Sequence, residues 1–467
     1  MISKLKFVPS TFPFWQLYSA VTASLVILSV GFAVGWTSPA SNQLSLNDSQ
    51  FSWVISSYLI GSIMINVINP LYIYRISRKK ALLLGTVPMT VGWLVLSIED
   101  SFGGLCIGRV LTGVSTGILI TSSIFYLAEL ADKRYRGAIS AFLCAMLALG
   151  EILVHSCSLF ATMNDLSTIA LIPVGLFILG SFKIIESPYF DTQNGHEEKA
   201  LVSLRKLRPY YNEEEIDQEL VDIRNYVDGA DCSYKKFPTL FSTRVNRRSI
   251  LIVVLMKFAN KFSGSLVVSN CTERILNLAE VPLDPALAVI ITDCFYLVSV
   301  MLASSLLDRV GRRPLYIVSG ILTSLVLVIL ATFFVLFDAG YDVTSFTWLP
   351  ILCVGCYYMA VFLGILTLPY IVVAELFPTE VKFVAASLAD ICGGAFDLIM
   401  VMTMSQLLRS MSLGVIFYIF AVCTLVSSTA VFFILPETKG KSLTEVQEML
   451  HRIHGQSYEA SFTIDKK

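Results

Sequence analysis

The chain has little charge for its length. Of 467 residues only 15% are charged, against 55% hydrophobic, and the formal net charge is -1. Soluble domains carry about 25% charged residues, so a water-soluble globule is excluded. A net charge this close to zero leaves no basic footprint for nucleic acid. Ten cysteines are scattered, mostly inside apolar runs, where cysteine behaves as a small hydrophobe. That argues against a disulfide framework and against a metal site. No nucleophile–base constellation and no phosphate loop appears, so an enzyme reading has no support and no cofactor is implied. A cleavable signal pattern is also missing. The first apolar run starts near Phe14 and is long enough to span, so it is expected to act as a retained start signal.

What the chain does have is long apolar runs. A spanning helix needs about 20 mostly apolar residues. Windows of that kind lie near 15–36, 52–73, 81–98, 103–127, 137–160 and 167–185, and again near 249–276, 285–306, 314–336, 348–374, 384–407 and 413–434. The expectation is an all-α membrane protein of twelve spans in two six-helix bundles, 1–185 and 249–435, with a tail over 436–467. The interval 186–248 is polar. Leu201, Leu204 and Leu207, then Ile216, Leu220 and Ile223, recur there at helical spacing, which predicts short amphipathic helices on the cytoplasmic surface. A disordered linker is the alternative.

Orientation follows from Lys and Arg. Asp308-Arg309-Val310-Gly311-Arg312-Arg313 sits on a very short loop between two apolar runs, and Arg75-Ile76-Ser77-Arg78-Lys79-Lys80 holds the same place in the first half. The loops near 37–51, 161–166 and 337–347 carry no Lys or Arg. The basic loops are therefore read as cytoplasmic, with both termini inside. Loop 37–51 is then external, and its Asn47-Asp48-Ser49 is a glycosylation sequon. A charge-rich loop recurring after the second span of each half suggests two related bundles.

Several motifs point further. Gly108-Arg109-Val110-Leu111-Thr112-Gly113 opens the fourth span, Tyr126-Leu127-Ala128-Glu129 closes it, and Arg136-Gly137 opens the fifth. Glu186-Ser187-Pro188 follows the sixth, Glu375-Leu376-Phe377-Pro378 closes the tenth, and Pro436-Glu437-Thr438 follows the twelfth. In this order, and with Asp308 to Arg313, the set resembles the sugar porter family of the major facilitator superfamily over nearly the whole chain. Among its branches it looks most like the insect facilitated trehalose and hexose transporters. Arg109, Glu129, Arg136, Asp308, Arg309, Arg312, Arg313, Glu375 and Glu437 are read as cytoplasmic helix ends. The resemblance implies that they form a charge network. Paired across the bundles, they would latch the inner side shut while the pathway faces outward.

The candidate solute site departs from the family. Hydroxyl-rich solutes suit neutral amides, which both donate and accept. Where the family has Q-Q-x-S-G in the seventh span, this chain has Asn260-Lys261-Phe262-Ser263-Gly264, and Leu266 stands at an Asn position. Cys144 replaces a Gln in the fifth span, and Gly393-Gly394 replaces an Asn-Trp pair in the eleventh. Gly364, Pro369 and Tyr370 match the family's tenth-span segment only in part, yet one proline still allows a bend. Lys261 inside a span needs a partner or water, with Glu151 or Asp390 as candidates across the bundles. The alternative is a group that snorkels to water. His155 alone reads as a packed polar residue. The first span, Trp15 to Trp36, contains no acid, which favours uniport over proton coupling.

The chain is thus expected to be a monomeric, multi-pass transporter of the plasma membrane that moves trehalose or a hexose by alternating access. Its partners are a small solute and membrane lipid. Two alternatives stay open: a transporter of an anionic or less polar metabolite, and a nutrient sensor that moves nothing.

Overall fold

The structure, a computed structural model, describes residues 13–72, 75–132, 135–229, 237–377, 379–439, 441, 445–446 and 449–450. The side chains of Arg136 and Asp308, both expected in the charge network, lie outside the described residues.

Apolar length dictates the architecture. In hydrocarbon no water can satisfy backbone polar groups, so each crossing segment must close its own hydrogen bonds as a helix. Among the described residues there is no strand, and twelve helical spans are long and apolar enough to cross. They are Phe14–Gln43, Asp48–Tyr72, Arg78–Ile98, Phe102–Leu130, Gly137–Ser158 and Met163–Ser181, then Arg244–Leu278, Pro285–Ala303, Arg312–Asp338, Thr344–Leu376, Val384–Ser410 and Leu413–Ile434. They are called the first to twelfth spans below. The expected twelve, six and six, are present.

The third span shows how lipid decides which face is bare. Leu84, Val87, Val91, Leu94 and Ile98 recur every three or four residues and are all exposed. Leu82, Met89, Trp93 and Leu96 form the opposite stripe and are fully buried. In water the first stripe would be a large unpartnered apolar patch, whereas in a bilayer it meets acyl chains.

Within the first half the fourth span packs on the second and third, and the fifth on the first. Within the second half the ninth packs on the twelfth and the tenth on the eighth. Two contacts join the halves along their length, the second span with the eleventh and the fifth with the eighth. Val401 of the eleventh span accordingly sits in the first half's core, and Ala148 of the fifth in the second half's.

Four spans are broken: the first after Gly35, the sixth at Ala170, and the seventh and the tenth. The tenth consists of Leu349–Leu363 and Leu368–Leu376, and Pro369 opens the second piece, as the sequence suggests. The seventh consists of Arg244–Lys261 and Ser265–Leu278, a break the sequence reading does not anticipate. It turns on Gly264, with φ +80°. A Cβ there would lie 2.4 Å from the Phe420 ring, so conformation and space both demand glycine.

The linker is helical where it is described, with Glu197–Leu207 and Glu213–Gly229 as its longest pieces. Leu204, Ile216 and Ile223 form its own small core, and Leu207 is buried in the core of the first half. Arg208 fixes it there, donating 3.0 Å to the Leu130 carbonyl and pairing with Glu219 at 3.0 Å.

The Gly264 break makes a test. An L-residue in that conformation is strained by about 1–2 kcal/mol before any clash. Gly264→Ala is expected to lower the melting temperature of the detergent-purified protein by several degrees. In a Phe420→Ala background, which itself costs about 3–5 kcal/mol, the same glycine substitution should lower the Tm less, by the part due to the clash. Differential scanning fluorimetry checks both, and an unchanged Tm in the single variant would refute the account.

Candidate functional site

Each half builds the same charge cluster at the face that carries the linker, from the same three places. In the first half Glu129 closes the fourth span. Arg78 Nε donates to its two oxygens at 3.2 and 3.1 Å, Arg78 Nη2 reaches it at 2.9 Å, and the Ser187 hydroxyl adds a further bond. Glu186 accepts from the Ser77 hydroxyl and from the Lys79 N–H, capping the start of the third span. In the second half Arg312 Nε and Nη2 lie 3.1 and 2.8 Å from Glu375, and Thr438 donates to the same carboxylate. Glu437 accepts the Arg312 and Arg313 N–H groups at 3.1 and 3.0 Å, capping the ninth span. Both capping carboxylates sit where a helix exposes unpaired N–H groups and its positive end.

Burial pushes the Glu437 carboxyl up, but backbone N–H groups of Lys439, Arg312 and Arg313 outweigh this and hold it below the usual carboxylate range. A depressed folded value means the cap stabilises when ionised. Its contribution is present at neutral pH and is lost as pH falls through that folded value.

The described ion pairs of these clusters differ from the expected latch. The Arg78–Glu129 and Arg312–Glu375 pairs each run within one half, not between halves. Arg309 is exposed, and Arg313 lies 4.3 Å over the Phe432 ring while its Nε donates 2.7 Å to the Phe432 carbonyl. The reason is the state of the molecule. At the linker face Gly137, Ala138, Phe142 and Cys144 are exposed on the fifth span, as are Tyr370 and Ala374 on the tenth. The described ion pairs at this face, Arg78–Glu129 and Arg312–Glu375, stay within their own half.

Arg109 is a second correction. The fourth span runs towards the linker face, so a residue near its start is at the far side. Arg109 lies twenty residues, about 30 Å of helix, from Glu129. It is buried, donating 2.7 Å to the Ala33 carbonyl and 3.0 Å to Thr37 Oγ1, with the Tyr58 and Trp36 rings against its guanidinium. It staples the break in the first span.

Opposite the linker the halves close on each other. The Ser265–Leu278 helix packs on Thr37–Gln43, and Glu273 N–H donates to Ser38. Arg274 pairs with Asp48 at 3.1 Å, both half-exposed. Deeper in, His155 of the fifth span meets Asp293 of the eighth, Nδ1 to Oδ2 2.6 Å, while Nε2 lies 3.0 Å from the Gly35 carbonyl. Both side chains are buried, and Glu151, one turn before His155, is buried too. Both ring nitrogens face oxygen, so the pair holds a proton between Nδ1 and the carboxylate. The sequence reading gives His155 a packing role and misses this bridge, because its partner is 138 residues away.

Near mid-membrane the expected solute residues divide. Asn260 is buried, its Nδ2 donating 3.3 Å to Ile365 O and its Oδ1 accepting from Ser265 at 3.2 Å. Its amide joins the two helix breaks rather than facing open space. Lys261 pairs with Asp397 at 2.6 Å, not with Glu151 or Asp390. Asp390 is taken by Lys257, 2.7 Å away, a lysine the sequence reading passes over. Lys257 Nζ also lies 3.6 Å from the centre of the Tyr370 ring. A Cβ on Gly393 would touch only the stems of Lys257 and Lys261, at 3.5 and 3.6 Å. Lys261, Gly393 and Tyr370 are thus gathered round one pair of ion pairs. Leu266 packs against the first half's core in the cleft beside Arg274, and Cys144 is exposed on the fifth span. Asn47 is exposed, caps the second span through Gln50 N–H at 2.8 Å, and lies on the face opposite the linker.

The closed face can be tested by thiol labelling of Cys271, which lines the cleft beside Arg274, with the other cysteines replaced. A half-exposed pair is worth about 0–1 kcal/mol, so Arg274→Ala should speed labelling a few-fold at most. His155→Leu strands a buried carboxylate in the closed state, which costs about 3–5 kcal/mol, so labelling should rise by more than about tenfold. Equal rates in both variants and the parent would show that these contacts do not hold the face shut.

Residues 5–450 match the family model described as "Sugar (and other) transporter". A facilitated trehalose transporter, Tret1, of Bombyx mori is 27% identical over 441 residues, covering 93% of this chain and 86% of its own. A Tret1-2 homolog of Drosophila simulans is 28% identical over 457 residues, covering 95% of this chain and 93% of its own. Among solved structures, the inward open conformation of the xylose transporter XylE from E. coli gives a TM-score of 0.77 at 19% identity, over 93% of this chain and 100% of that one. At that identity the likeness concerns the fold alone. With twelve spans in two six-helix halves, and a family match over nearly its whole length, the chain belongs to the sugar (and other) transporter family and has the major facilitator fold.

Proposed function

We propose that the protein carries a neutral sugar, trehalose or a hexose, by facilitated alternating access. The observation that carries this reading is one-sided closure. The described ion pairs between halves, His155–Asp293 and Arg274–Asp48, lie towards the face opposite the linker, while Arg78–Glu129 and Arg312–Glu375 at the linker face each lie within one half. Residues 1–185 and 249–435 then move as two units about the second–eleventh and fifth–eighth contacts. Rocking them closed at the linker face would bring the Arg78–Glu129 and Arg312–Glu375 clusters together, where they could pair between halves.

The linker face is cytoplasmic on this reading, because the loops there carry the Lys and Arg. Both termini are then inside, Asn47 is external and glycosylated, and 436–467 is a cytoplasmic tail. The plasma membrane is the family's expected location, and each chain encloses its own pathway as a monomer. The Tret1 relatives are facilitated trehalose transporters by name, which supports the solute. The anionic alternative rested on Lys261 as a lone cation. Its pairing with Asp397 removes that attraction. The first span, Phe14–Gln43, carries no acid, which supports uniport.

Proteoliposomes holding the purified protein are expected to take up labelled trehalose or glucose saturably. Preloading with the same unlabelled sugar should accelerate uptake, and a protonophore should leave it unchanged. Loss of uptake with the protonophore would replace uniport by symport. No counterflow with either sugar would overturn the solute assignment.

A further inference from the structure

Two ion pairs inside the membrane remain unexplained by gating. Lys257–Asp390 and Lys261–Asp397 both join the seventh span to the eleventh, so both lie within one half. Pairs within a rigid half neither form nor break when the halves rock, so they cannot act as a gate. Ionised groups at this depth are costly, and replacing a buried ion pair by apolar side chains is often neutral or stabilising. Fold stability alone therefore does not explain two of them.

Their placement suggests a use. Asp390, Gly394 and Asp397 share one face of the eleventh span, since they are separated by about one and two helical turns. That face looks at the first half: a Cβ on Gly394 would lie 2.6 Å from Ile63 of the second span, and Val401 one turn on is packed in the first half's core. The ladder of charges thus lies at the boundary between halves, where a solute must pass. In each pair one member is sunk and the other is accessible. Lys257 is 3% exposed against 38% for Asp390, and Asp397 is 7% exposed against 22% for Lys261. One accessible acceptor and one accessible donor are each backed by a buried counter-charge. Seven residues separate Asp390 from Asp397, about 10 Å along the helix.

The pairs also leave hydrogen-bonding capacity unused. An ammonium has three donors and a carboxylate about four acceptor sites. Asp397 Oδ1 is buried with no protein partner among the described residues. Hydroxyl groups can fill such sites without breaking either pair, and bonds to charged groups are roughly twice as strong as neutral ones. A charged solute would leave net charge in a low-dielectric site, and a zwitterion would have to pull both pairs apart.

We propose that Asp390 and Lys261 are solute-contact residues held by Lys257 and Asp397, and that this ladder selects an extended, electrically neutral, polyhydroxylated solute. The charge-assisted bonds take the place of the amides this chain lacks. The proposal rests on the transport reading above and names the chemistry of that same site.

The test uses purified full-length protein and equilibrium binding of labelled trehalose. Asp390→Asn and Lys261→Gln are each expected to weaken binding about tenfold, the loss of roughly one charge-assisted hydrogen bond. Lys257→Met with Asp390→Leu removes both charges without stranding either, and should keep the Tm while losing affinity. Exchanging the pair, Lys257→Asp with Asp390→Lys, should keep the Tm without regaining affinity. Trehalose binding within twofold of the parent in the Met–Leu variant would overturn the proposal. Should the parent bind no sugar, thermal shift with mannitol, glycine betaine and citrate separates the two readings. A shift by mannitol alone, lost in Asp390→Asn, keeps the ladder while the sugar assignment falls. A shift by citrate or betaine, or by none of the three, overturns the ladder as well.

Discussion

A charge placed in lipid must find its counter-charge within reach, and in this chain the choice of partner decides which parts move. Lys257 with Asp390 and Lys261 with Asp397 bind the seventh span to the eleventh. Arg78 with Glu129 and Arg312 with Glu375 bind span to span inside each half. All four make a half more rigid. The pairs that cross, His155 with Asp293 and Arg274 with Asp48, lie towards one face. A molecule wired in this way is stiff within its halves and divisible between them. Alternating access needs both properties.

The repetition of the linker-face clusters gives the two halves one local grammar. An arginine at the start of a span, a glutamate at the end of the next, and a second glutamate with a neighbouring hydroxyl after the last recur in both. The second glutamate caps the span that the arginine opens. Gly311, with φ +100°, turns the chain so that successive N–H groups meet Glu437, and a Cβ there would crowd its carboxylate at 3.1 Å.

Much of this was legible in the amino-acid order. Twelve apolar runs and two basic loops are local signals, and they lead to the spans and to the repeated clusters. The bend in the tenth span follows from Pro369. What escaped depends on helix phase and on partners far along the chain. Lys261 and Asp397 are in different spans, and no spacing says that they face each other. Lys257 reads as an ordinary residue near a helix start until the eleventh span is laid beside it. Asn260 looks like a solute amide because its type survives, yet the broken seventh span turns it towards Ile365. Arg109 was misplaced by reading a motif without following the direction of its span. A latch expected between halves was sought in pairs that this conformation keeps inside them.

The neighbouring glycines of the eleventh span have unequal freedom. Gly394 is pressed against Ile63 of the other half, so a side chain there would have to displace that residue. Gly393 meets only flexible lysine stems at ordinary contact distance. One position is fixed by the mechanics of the interface, while its neighbour is open to change. A lineage could therefore reshape the room beside the charge ladder one methyl at a time, drifting between longer and shorter solutes without rebuilding the machine that carries them.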